Sequence, residues 1–191
     1  MAEFDFDAAR RWARFDRQKT LARRSDEELP FVQAGQIVGQ GLLLDTCVYI
    51  DQMQDRSPDL LDDLIAQRQV NHSAVALQEL MHTVGVLDPS DRRTAGVIAE
   101  IRKQIAAMPP HRLFAPDLEI QGRATLLSGI LCRIQGYGKD GKLRALQDCA
   151  LFLQGQKLGL VVLTANVRDY DILLQLIPTG RALFYRRKSS P

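Results

Sequence analysis

The chain is poor in the residues that staple small proteins and hold soft metals. Its 191 residues include three cysteines, three histidines and one tryptophan. Cys47, Cys132 and Cys149 are odd in number, lie in apolar contexts and form no Cys-x-x-Cys pair, which suits reduced core thiols and not a disulfide framework. His72, His82 and His111 are not at ligand spacing, so a zinc site is not expected. No stretch approaches the roughly 18 consecutive apolar residues of a membrane span. The opening, with Arg10-Arg11-Trp12-Ala13-Arg14, has no apolar core of a secretory signal. Together these absences predict a cytoplasmic protein with no membrane partner. A dominant charge is also lacking: 25 basic and 23 acidic residues give a net +2, which argues neither for nucleic acid nor against it.

What is present is ordinary globular material, 46% hydrophobic and 25% charged, enough for one domain with a sizeable core. Residues 1–40 read as an N-terminal helical extension: a surface helix over Asp7–Arg24, a break at Ser25-Asp26-Glu27-Glu28 and Pro30, then a stretch with two glycines. The domain proper is expected over 41–191. There, apolar strand-like runs alternate with helical stripes, which predicts an α/β fold with a mostly parallel sheet flanked by helices. Strands are expected at Leu42–Leu44, Val70–His72, Leu160–Leu163 and Ala182–Phe184. Helices are expected at Thr46–Met53, Pro58–Gln67, Ala74–Val84, Ser90–Met108, Pro116–Ile134, Leu143–Gln156 and from Val167 to Leu176. The loop Gly136–Gly141 lacks the Lys-Ser/Thr ending of a phosphate-binding loop.

The informative residues are acids at the ends of apolar runs. Asp45 follows Leu42-Leu43-Leu44, where a strand hands over to a helix, and ligands of open α/β sheets collect at such carboxyl ends. Thr164-Ala165-Asn166-Val167-Arg168-Asp169 repeats that placement after Leu160–Leu163, although helix capping by Asn166 or Thr164 accounts for the same residues. Asp148 interrupts an apolar helix. Burying it unpaired costs several kcal/mol, on the scale of about 2–7 for a lone polar group and more for an ion. A metal, a helix N-terminus or Arg144 one turn earlier could compensate it. Glu79 lies off the stripe Leu77/Leu80/Met81/Val84, and on periodicity alone it reads as solvated. Packed carboxylates force protonation unless a cation joins them, and hard oxygen donors suit Mg2+ or Mn2+.

In order and context these segments resemble the PIN-domain ribonucleases, and among them the VapC-type toxins of type II toxin–antitoxin pairs. The resemblance covers about Gly41 to Tyr185. It rests on Leu43-Leu44-Asp45-Thr46-Cys47-Val48-Tyr49-Ile50, on Ser73-Ala74-Val75-Ala76-Leu77-Gln78-Glu79-Leu80, and on Leu146-Gln147-Asp148-Cys149-Ala150 followed by Gly159 to Tyr170. It implies a three-layer PIN-like fold and an acidic metal-binding, catalytic core of Asp45, Glu79 and Asp148, with Asp169 or Asn166 at the fourth position. It further implies that Thr46 positions the core, with Asn166 and Arg168 beside the substrate, and that the partners are RNA, a cognate antitoxin and a second copy of the chain. Cys47 stands where Asn or Ser is commoner, and the extension is unusual for a minimal toxin.

The expected function is therefore Mg2+- or Mn2+-dependent hydrolysis of RNA phosphodiesters. The alternative is a degenerate, non-catalytic RNA-binding or protein-interaction module. A phosphatase with an aspartate nucleophile ranks last, because Cys47 occupies the second acid of the Asp-x-Asp pattern. Further basic residues that could meet a phosphate backbone are Arg10, Arg11, Arg14, Arg144 and Arg186-Arg187-Lys188.

Overall fold

The computed structural model describes residues 4–12, 20–33, 35 and 38–188. Five parallel strands form the centre: β1 (Leu42–Leu44), β2 (Val70–Ser73), β3 (Leu113–Phe114), β4 (Val161–Thr164) and β5 (Ala182–Phe184), in the order β3-β2-β1-β4-β5. Chain order runs outward in one direction from β1 to β3 and in the other through β4 to β5. The crevice at the carboxyl ends of β1 and β4 is thus the topological switch point of the sheet. Register places Leu44 beside Leu163, so Asp45 and the residues after Thr164 leave the sheet side by side.

Eight α-helices accompany the strands among the described residues: α1 (Phe6–Trp12), α2 (Thr46–Met53), α3 (Asp59–Gln67), α4 (Ala74–Val86), α5 (Thr94–Ala106), α6 (Leu118–Gln135), α7 (Lys139–Leu158) and α8 (Val167–Leu176). Alternation along each strand divides the core into two. Leu43, Val162, Ala182 and Phe184 face the cluster built with α6, α7 and α8. Leu42, Leu44, Leu163 and Leu183 face the one built with α2, α3, α4 and α5. This is the expected three-layer, PIN-like α/β architecture. Strands covered on both faces read as unbroken apolar runs, and Leu42 to Leu44 are at most 2% exposed. Each such leucine contributes about 1.5–3 kcal/mol by leaving water.

Several boundaries differ from expectation for local reasons. Of the helix expected over Asp7–Arg24, the described residues show a helix at Phe6–Trp12 and irregular chain at 20–24; residues 13–19 lie outside the described residues. Helix α5 begins at Thr94 because Ser90 folds back on Asp88, whose carbonyl also accepts from the Thr94 hydroxyl. Helix α6 begins after Asp117, whose side chain accepts from the Ile120 amide at 2.9 Å. The Gly136–Gly141 loop shrinks to three residues: Gly136, at φ 66°, closes α6 in the left-handed conformation, and α7 starts at Lys139. Helix α4 runs through Gly85 to Val86, and its buried residues are Val75, Ala76 and Leu80, while Met81 is 53% exposed. Strand β3 was not legible, being two residues long. No helix among the described residues is long and apolar enough to cross a membrane.

Candidate functional site

A cleft of about 790 Å³ opens at the switch point, lined by Asp45, Thr46, Glu79, Arg144, Asp148, Asn166 and Arg168 among others. Each acid arrives on a different element. Asp45 caps α2 at the end of β1, Glu79 projects from α4, and Asp148 from α7. Asp148 lies well inside α7, so the helix-start explanation for it fails; α7 begins at Lys139 and not at Leu143. Asp45 and Asp148 are 6% and 7% exposed. That Glu79 enters the cleft at all overturns the reading of it as a solvated residue.

Hydroxyl and amide groups aim these acids. The Thr164 hydroxyl donates to Asp45 Oδ2 at 2.5 Å, and the Cys47 thiol approaches the same oxygen at 3.2 Å. Thr46 donates to Glu79 Oε2. Asn166 Nδ2 donates to Asp148 Oδ2 and to Asp169 Oδ2, both at 3.1 Å, while its Oδ1 caps α8 by accepting from the Asp169 amide at 3.3 Å. Asn166 therefore caps α8 and at the same time holds Asp148 and Asp169 by hydrogen bonds. Asp169 is not part of the cleft lining; Tyr137 donates to its Oδ1, and its second oxygen is held by Asn166. Arg168 and Arg144 are exposed at the mouth, and neither forms an ion pair among the described residues.

The electrostatics follow from burial. Desolvation raises the carboxyl of Asp45, against the opposing hydrogen bond from Thr164. Burial, followed by the charges of Asp45, Asp169 and Glu79, pushes Asp148 well above the usual carboxylate range, and Arg144 only partly opposes this. Glu79 rises from its ordinary 4.5 to about 7, through burial first and the charge of Asp45 next, with Thr46 and Arg144 pulling the other way. The Tyr170 hydroxyl is fully enclosed, feels the charges of Asp45, Asp148 and Glu79, and has no hydrogen-bond partner among the described residues.

Whether such a set could hold a divalent cation is answered differently by chemistry and by geometry. In chemistry it fits. Carboxylates are hard donors, and their shared upward shifts mean that the protein alone under-compensates their charge. In geometry, no three His, Cys, Asp or Glu side chains among the described residues converge as a metal-holding group. The side chains are turned instead to Thr46, Thr164 and Asn166.

Sequence reasoning missed three contributors: Thr164 as the donor to Asp45, Tyr137 as the anchor of Asp169, and Arg23, which reaches the cleft from the N-terminal segment. The first was within reach, since a threonine ends β4 beside the end of β1. The others depend on contacts far apart in the chain.

No protein-family model matches this sequence, and no curated protein matches it significantly. Solved structures do match its fold. A DNA-bound VapBC structure from Salmonella typhimurium is similar with a TM-score of 0.52 and 17% identity, over 77% of this chain and 98% of that one. FitAcB from Neisseria gonorrhoeae gives 0.51 and 18%, over 75% and 96%. VapBC2 from Rickettsia felis, bound to a DNA fragment from their promoter, gives 0.50 and 13%, over 76% and 98%. At these identities the likeness is one of fold.

Proposed function

We propose that this protein is a metal-dependent endoribonuclease and the toxin of a type II toxin–antitoxin pair. The observation that carries the reading is the delivery of two buried carboxylates, Asp45 and Asp148, and the half-buried Glu79 from three elements into one cleft at the switch point. The likeness in fold to VapBC and FitAB structures supports the toxin–antitoxin part, and with it an antitoxin partner; a homodimer is part of the same proposal.

The roles divide by position. Asp45, Glu79 and Asp148 would hold the cation, Mg2+ or Mn2+, with Asp169 or Asn166 in the fourth place. When bound, that ion supplies an activated water and neutralises charge developing on the phosphate. Thr46, Thr164 and Asn166 fix the carboxylates before substrate arrives, which spares reorganisation during the reaction. Arg144 and Arg168 hold the phosphodiester at the mouth, where unpaired guanidinium groups suit it. To hold it, the three carboxylates would have to turn from Thr46, Thr164 and Asn166 toward one another.

That last requirement gives weight to a second reading. A non-catalytic RNA-binding module would keep the cleft and its arginines yet never gather the acids, and no three acids converge among the described residues. Cleavage of labelled RNA separates the two. The expected result is Mg2+-dependent cutting, abolished by EDTA and reduced roughly 100-fold or more by Asp45→Asn and by Asp148→Asn, the scale on which metal-holding groups and their supports act. Protein freed of any co-purifying partner that binds RNA but never cuts it would establish the second reading.

A further inference from the structure

The segment from residue 20 to residue 33 is fastened to the domain along its length. The Arg24 amide and Nε donate to the two oxygens of Asp171 at 2.7 and 2.6 Å, and Asp171 is wholly buried in α8. Gln175 and Gln135 donate to the carbonyls of Ala22 and Leu21. Leu29 lies in the core cluster, 7% exposed. Phe31 then pairs in parallel with Phe184: the Val32 amide donates to the Phe184 carbonyl at 2.8 Å, and the Phe184 amide to the Pro30 carbonyl at 2.9 Å. The segment thereby extends the sheet beyond β5.

This docking brings Arg23 to the wall of the cleft. Four arginines now line it from four separate parts of the chain: Arg23 from the N-terminal segment, Arg144 from α7, Arg168 from α8 and Arg187 beyond β5. Arg187 is held by Nε hydrogen bonds to both oxygens of the buried Asp51, at 2.9 and 2.7 Å, a carboxylate that Arg56 also pairs with. Arg23 pairs with Asp26, which it shares with Arg186, and the charge of Arg186 also acts on Glu27. Arg186 is itself held over the ring of Phe31, 4.6 Å from its centroid. Shared pairing with Asp26 keeps Arg23 in place at the cleft wall, while its side chain stays 42% exposed. The cleft consequently has an acidic floor and a basic rim, a separation that suits a polyanion whose backbone lies on the rim.

We infer that the N-terminal segment completes the substrate cleft and that Arg23 is a phosphate-positioning residue for the nucleic-acid strand. The inference rests on the nuclease reading above, because it takes the rim to face an RNA backbone.

The test measures binding of a short fluorescein-labelled single-stranded RNA by anisotropy across a series of KCl concentrations. It uses the full chain with Mg2+ in an Asp148→Asn background, so that turnover does not intervene. One lost phosphate contact lowers the slope of log K against log salt by about 0.7, which near 0.1 M salt is roughly a fivefold loss of affinity. Arg23→Gln is expected to show both effects, and Arg23→Lys, which keeps the charge, to restore the slope. Arg23 is a surface side chain, 42% exposed, so neither change threatens folding. If Arg23→Gln binds like its parent while Arg144→Gln weakens binding, the assignment of Arg23 is wrong and the nuclease reading stands. A parent protein that captures no RNA even at low salt overturns both.

Discussion

Glu79 keeps its proton up to about pH 7 because the fold buries it beside Asp45. An acid raised in the folded state binds its proton more tightly there than in the unfolded chain. The associated stability is therefore present below the ordinary value of 4.5 and is lost as pH rises toward 7. At about 1.4 kcal/mol per unit, the loss from this one group is roughly 3 kcal/mol. Asp45 and Asp148 are shifted the same way and add to it. Melting temperatures in EDTA should thus fall between pH 4.5 and 7, and Glu79→Gln should flatten the decline. Parallel pH profiles for the two proteins would show that Glu79 is not the buried, shifted group described. At this scale the site was partly legible. Asp45 and Asp148 stood out because each interrupts or ends an apolar run. Glu79 did not, since a single off-stripe glutamate looks the same whether it faces water or a cleft, and only the resemblance raised it. Asp169 and Asn166 were bracketed together, and their division of labour depends on Tyr137, which lies 32 residues away in the chain.

Helix α7 carries Asp148, and its distance from the sheet determines where that carboxylate ends. Gly155 sets the distance. A Cβ there would stand 2.8 Å from Val162 Cγ2, on a strand residue with no exposure and a stiff β-branched side chain. Gly129, exposed on α6, would meet nothing within 4 Å. The same substitution is therefore expected to act with opposite signs. Gly129→Ala gains the helix propensity of alanine, about 0.5–1 kcal/mol. Gly155→Ala gains that too but pays about 1–3 kcal/mol for overpacking, and so destabilises the protein. Urea denaturation of both variants reads the difference directly, and a stabilised Gly155→Ala would mean that α7 does not press on β4 as described. The strands and helices themselves were largely legible, because the alternation of apolar runs with helical stripes survives in composition. What escaped were boundaries decided by single contacts, such as the Asp88 turn ahead of α5 and the left-handed Gly136, and the two-residue strand β3.

Over the whole molecule, charge is nearly balanced and locally divided. The net +2 conceals acids that line the floor of one cleft and arginines around its rim. A fold that holds three acids with raised proton affinity around one cleft leaves stability unrealised, and any ligand that binds only the folded state recovers it by mass action. A divalent cation is the ligand whose charge matches. Added Mg2+ or Mn2+ should raise the melting temperature at pH 7.5, with about 2.7 kcal/mol expected at a concentration a hundredfold above its dissociation constant. Because the ion competes with protons for the same oxygens, the gain should shrink as pH falls below 7, where Glu79 takes up its proton. Asp45→Asn and Asp148→Asn remove a charge that the ion would meet, so in them the gain should largely vanish while the metal-free melting temperature rises. Scanning calorimetry of the three proteins with and without metal distinguishes this from a general salt effect, which would move all three alike and would leave the carboxylates with no cation to gather them.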